Sequence, residues 1–86
     1  MKVININAIW CPSCIIMHKV WDEIKEELPD LEFENYDYDI DEEIVKTYKP
    51  GKVLPVSIIM KDEVEETRII GEKSKEELLK IIEAFK

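Results

Sequence analysis

The chain has 86 residues, 45% of them hydrophobic and 37% charged, with a net charge of -8 at pH 7. That length holds one domain near the lower limit for an independent core, and an apolar fraction rich in Ile and Val excludes a disordered chain. The excess of acid excludes nucleic acid as a partner, because phosphate contacts need clustered Lys and Arg.

No linker, repeat or low-complexity stretch divides the sequence, so a single domain is expected over 1–86. The first strand begins early. Val3, Ile4, Ile6, Ala8 and Ile9 form an apolar, β-branched run broken only by Asn5 and Asn7, which predicts a buried strand over Val3 to Ile9. The run is too short and polar for a signal-peptide core, and no later stretch approaches a membrane span. A cytoplasmic monomer without a membrane partner is therefore expected.

Pro12 suits the first position of a helix, where its missing N–H costs nothing. Ile16, Met17, Val20, Trp21, Ile24 and Leu28 recur at helical spacing as the expected buried stripe, with His18, Lys19, Asp22, Glu23, Lys25 and Glu26 opposite. Pro29 stops that helix, since the residue before a proline is pushed out of the α region. Leu31, Phe33, Tyr36 and Tyr38 to Ile40 predict a second strand. Asp41 is the expected N-cap of a short helix carrying Ile44, Val45 and Tyr48 and ending at Pro50-Gly51. Val53 to Met60 reads as a strand with Pro55 near its start, Lys61-Asp62-Glu63 as a turn, and Val64 to Ile70 as the returning strand. Gly71 ends the hairpin. Ser74 and Glu77 form a capping box for a last helix whose stripe is Leu78, Ile81, Ile82 and Phe85. The order βαβαββα requires a parallel first pair with a right-handed crossover and an antiparallel hairpin added to the same sheet. The expected class is α/β: a four-stranded mixed sheet with helices on both faces.

Both cysteines fall in Trp10-Cys11-Pro12-Ser13-Cys14, where a strand meets a helix. So small a loop removes little unfolded-state entropy, so a structural staple is excluded and the pair reads as redox-active or metal-binding. A thiol at a helix N-cap faces unpaired N–H groups and the positive end of the dipole, which favour its thiolate. With Pro12 at the first helical position, the amides of Ser13 and Cys14 remain as donors to Cys11. Cys14, one turn inside, is expected to be the better shielded. The chemistry this predicts is disulfide exchange, with Cys11 attacking and Cys14 resolving, and neither metal nor organic cofactor is required.

With this motif the chain resembles the thioredoxin family. The shared features are Trp10, the two-residue gap, Asp22-Glu23-Ile24, Asp39-Ile40-Asp41, Pro55 and Gly71. The resemblance spans nearly the whole chain, apart from the strand and helix that precede the active-site strand in full-length thioredoxins; in that trimming it looks like a glutaredoxin or a compact thioredoxin-like protein. It implies a thioredoxin fold, a cis Leu54-Pro55 bond lying against the sulfurs, and a substrate-binding surface of Trp10, Pro12, Ser13, Leu54 and Pro55. It further implies disulfide-containing protein substrates and a thioredoxin reductase or other dithiol donor as partners. There are departures. Pro12-Ser13 replaces the usual Gly-Pro, Asn5 stands at the family's buried Asp, Asp37 at the Lys often paired with it, and Lys19 at a helix-kinking Pro. Leu54-Pro55-Val56 and Gly71-Glu72 lack the groups by which glutaredoxins hold glutathione.

Two rival readings remain open at this level. Cys11, Cys14 and His18 form a C-x-x-C-x-x-x-H set on one helical face, three ligands of a metal site lacking an evident fourth. Alternatively the fold is a binding module in which the cysteines are incidental. Trp10 is expected beside the sulfurs as a lid and Trp21 in the core. Ile15, on the cysteine face, either packs under a loop or contributes an apolar contact where a partner docks.

Overall fold

The computed structural model describes residues 1–85; Lys86, the last residue of the expected domain, lies outside them. Seven elements follow the expected order: β1 (Lys2–Asn7), α1 (Pro12–Glu27), β2 (Glu32–Asp37), α2 (Glu42–Tyr48), β3 (Val56–Lys61), β4 (Val64–Ile70) and α3 (Lys75–Phe85). The strands form one sheet in the order β2-β1-β3-β4, with β1 parallel to β2 and antiparallel to β3, and β3 antiparallel to β4. The hydrophobic strand therefore sits inside the sheet and the most charged strands at its edges.

Alternation along β1 sorts the core into two layers. On one face Val3 joins Met17, Trp21 and Ile24 of α1 with Leu78 and Ile82 of α3. Trp21 meets Phe33 edge-on, with ring centroids 5.6 Å apart. On the other face Ile4, Ile6 and Ala8 join Val56 and Ile58, and Ile44 and Tyr48 of α2 pack over them. The first face also carries one polar row. Asn5 pairs in register with Asn35 on one side and Ser57 on the other. Its Oδ1 accepts from the Ser57 hydroxyl at 2.6 Å and its Nδ2 donates to Asn35 Oδ1 at 3.4 Å. Bonded at both ends, the buried amide is tolerated in an otherwise apolar layer.

Several expected boundaries move. The first strand stops at Asn7 rather than Ile9, because the chain turns at Ala8, whose carbonyl accepts from the Cys11 amide at 3.1 Å. Ile9, expected to be buried, is thereby 88% exposed. The second strand stops at Asp37, short of Ile40, which is also exposed. The third begins at Val56, after Val53 and Leu54 have passed through a bend. In α1 the buried positions are Cys14, Met17, Trp21 and Ile24, while Ile16 faces solvent. The stripe is centred one residue away from the expected one, since Cys14 rather than Ile16 opens it.

Caps differ in detail. Ser74 behaves as expected, accepting from the Glu77 amide at 3.2 Å, with its hydroxyl 3.3 Å from the Glu77 carboxylate. Asp41 occupies the N-cap of α2 but makes no side-chain cap bond; its carboxylate accepts instead from the Asp37 amide at 2.7 Å. The hairpin turn is Asp62-Glu63, both at positive φ, the conformation that suits a two-residue connection between twisted strands. Because Leu78 is fully buried between α1 and the sheet, Leu78→Ala is expected to cost about 2–5 kcal/mol. Exposed Lys80→Ala should stay within about 0.5 kcal/mol, and urea titrations of the two variants check the contrast.

Candidate active site

At the parallel edge of β1 and β2 the chain leaves the sheet at Asn7, turns through Ala8 to Trp10 and enters α1. Cys11 is the N-cap, with extended backbone (φ -101°, ψ 107°), and Pro12 takes the first helical position. The Cys14 amide donates to the Cys11 sulfur at 3.3 Å and to the Cys11 carbonyl at 3.2 Å. A sulfur thus fills the place that a Ser or Asp oxygen holds in most caps. Of the two amides expected to face Cys11, that of Cys14 makes the bond. The first turn of α1 contains no acidic residue, so nothing there offsets the positive end of a 16-residue helix.

Both cysteines are free thiols, and each is 5% exposed. The expectation that Cys14 is the better shielded is therefore corrected: both belong to the buried cluster with Ala8, Leu54 and Val56. Burial pushes the Cys14 thiol up from its usual 9.0 to about 12, and the hydrogen bond with Cys11 adds to that, with the Ala8 backbone pulling weakly the other way. Cys14 stays protonated at neutral pH.

The remaining candidates fall into two groups. Leu54 and Pro55 are buried, Leu54 within the cluster that holds both cysteines, and the bond between them is cis. The Pro55 carbonyl accepts from the Gly71 amide at 2.9 Å, and Gly71 takes a positive φ of 81° there. Trp10 is 58% exposed and its indole N–H donates to Asp39 Oδ2 at 2.7 Å. Pro12 is exposed and Ser13 half-buried beside it. Trp21 lies in the core, as expected, and Ile15 is exposed.

Two features were not singled out from the sequence. One is the loop that holds Trp10. Asp37 Oδ1 accepts from the amides of Asp39 (2.8 Å) and Ile40 (3.2 Å), while Asp41 accepts from Asp37. The alternating Asp37, Asp39 and Asp41 was its signal, since aspartates of this kind fold a loop onto its own amides. The other is a cavity of about 290 Å³ beside Cys14, whose lining includes Ile9, Ile15, His18, Lys19 and Asp37. Asn7 also borders it, a short side chain that leaves the space unfilled. Asn5 lies elsewhere, its amide committed to Ser57 and Asn35.

His18 does not converge with the cysteines as a ligand set. Its Nε2 lies 3.6 Å from Asp22, and among the described residues no group of three or more His, Cys, Asp or Glu is placed to hold a metal ion. The arrangement suits sulfur chemistry: one thiol on a helix tip with a donor aimed at it, a second protonated thiol touching the first, and an apolar rim.

Comparison with known proteins agrees with this geometry. The family model described as Thioredoxin matches residues 1–84. The chain is 30% identical over 79 residues to an H-type thioredoxin of Fagopyrum esculentum, covering 92% of this chain and 67% of that one. It is 28% identical over 82 residues to a thioredoxin of Chlamydia pneumoniae, covering 95% and 79%. The structure of Fasciola hepatica thioredoxin superposes with a TM-score of 0.88 at 27% identity, covering 99% of this chain and 80% of that one.

The raised Cys14 value carries a stability consequence. Above pH 9 the unfolded chain releases the Cys14 proton while the folded chain keeps it, so the stability of the reduced protein should fall as pH rises from 9.0 toward about 12. Denaturant midpoints measured across that range should lose this slope in Cys14→Ala.

Proposed function

Since the chain belongs to the thioredoxin family, whose members are thiol–disulfide oxidoreductases, we propose that it reduces or exchanges disulfides in protein substrates with Cys11 as nucleophile and Cys14 as resolving thiol. The observation that carries this reading is the Cys14 amide held 3.3 Å from the Cys11 sulfur at the start of α1. That donor, with the dipole behind it, favours the negative sulfur needed for attack. Cys11 attacks one sulfur of the substrate disulfide, and the other substrate sulfur leaves. Cys14 then attacks Cys11, frees the substrate as a second thiol and leaves a Cys11–Cys14 disulfide.

The substrate segment would lie across Leu54 and Pro55, with Trp10, Pro12 and Ser13 as the facing rim. A proline there has no N–H to offer, so the segment meets the sulfurs rather than a competing donor. Reduction of the resulting disulfide falls to a thioredoxin reductase or a comparable dithiol donor. The use of both cysteines in one C-x-x-C supports a reducing compartment, the cytoplasm, as the place of action. The acidic surface supports a monomer in solution.

Insulin reduction with dithiothreitol tests the reading. Wild type should accelerate precipitation of the insulin chains, Cys11→Ser should abolish the acceleration, and Cys14→Ser should accumulate a mixed disulfide visible by mass spectrometry. Undiminished activity in Cys11→Ser, or none in wild type, would leave a binding module. A titration of the Cys11/Cys14 couple decides the direction. A potential near about -270 mV marks a reductant, and one above about -180 mV an oxidase or isomerase.

A further inference from the structure

Resolution of the mixed disulfide requires Cys14 to give up a proton, and the side chain beneath the motif on β1 is an amide with no capacity to take it. Asn5 is bonded at both ends to neutral partners. The groups that share space with Cys14 lie instead around the cavity of about 290 Å³, where His18, Asp37 and Lys19 are the titratable side chains. The cavity is open to solvent and roomy enough for water. Building on the Cys11/Cys14 reading, we propose that His18 accepts the Cys14 proton, through water in this cavity, as Cys14 attacks the mixed disulfide.

Position supports the assignment. His18 is four residues after Cys14 on α1, so their side chains neighbour one another on one face. Cys14 is buried, yet it lines the cavity; His18 lines it too and opens to solvent. A proton received by His18 can pass directly to bulk water. Asp22, 3.6 Å from Nε2, favours the imidazolium once formed. The other charged groups around the ring are Lys19 and Asp37 in the same cavity, and Lys25 in the small cavity on its far side, where Asn5 and Asn35 present amides. The two lysines oppose the imidazolium and the two aspartates favour it. Asp37 is the competing acceptor, but its Oδ1 is occupied by two backbone amides, and imidazole is intrinsically the stronger base.

The step balances without a further reactant. The Cys14 S–H bond breaks and its proton moves through water to the lone-pair nitrogen of the His18 ring. The Cys14–Cys11 bond forms, the bond from Cys11 to the substrate sulfur breaks, and that sulfur leaves as a thiolate with the electron pair.

The aromatic disulfide dithionitrobenzoate separates the two half-reactions. Attack by Cys11 releases one thionitrobenzoate and resolution by Cys14 a second. His18→Gln should slow the second phase about tenfold near neutrality, with the first phase as internal reference. Imidazole in the buffer should restore the second phase of His18→Ala in proportion to its concentration. A second phase in His18→Gln as fast as wild type overturns the proposal. Slowing in Asp37→Asn with none in His18→Gln overturns it too, and moves the role to Asp37. Absence of the first phase in wild type would instead sink the Cys11 reading on which the proposal rests.

Discussion

The hydrogen bond from the Cys14 amide to the Cys11 sulfur joins helix stability to sulfur reactivity. A neutral thiol is a weak acceptor, whereas a thiolate is a strong one. A sulfur at this cap therefore holds the amide more tightly as a thiolate than as a thiol. Everything around the bond serves to keep it in place. β1 delivers the chain to the helix from inside the sheet, Pro12 fixes the first helical residue without adding a competing donor, and the Ala8 carbonyl holds the Cys11 amide.

Two effects of opposite sign act on the cysteines. Burial disfavours a charged sulfur, and a helix terminus favours it. Cys11 receives both, since it is buried and also occupies the cap. Cys14, one turn inside, has the burial without the cap, and its proton is held far above neutrality. The two sulfurs thus differ in setting with no difference in exposure between them. A shift of three residues along one helix is enough.

Element order, the two-faced sheet and the N-cap position of Cys11 were legible in the sequence because each rests on a local rule: period-two and period-3.6 patterning, proline at the first helical turn, and a strand running directly into the motif. What escaped was set by tertiary contacts. Ile9 continued an apolar run, yet the chain turns one residue earlier, so a residue that looked like core stands beside the site. Ile16 fits a helical stripe as well as Cys14 does, and only the direction from which the sheet meets α1 chooses between them. Asp41 carried an N-cap signature but bonds to the end of β2. The cavity beside Cys14 had no signature of its own, since it arises from Asn7, Ile15 and His18 meeting across a turn. The cis bond before Pro55, expected from the family resemblance, is present.

The strand order leaves the sheet with two open margins. An unpaired strand invites another chain to extend the ladder, and natural proteins discourage this with charge. β2 presents Glu32 along one margin, beside Glu34 paired with Lys2 at 2.8 Å, and β4 presents Glu66 along the other, beside Glu65 paired with Arg68 at 2.6 Å. A second copy approaching either margin brings acid to acid, on a molecule whose formal charge is already -8. Lateral growth into multistranded assemblies is thus resisted at both flanks.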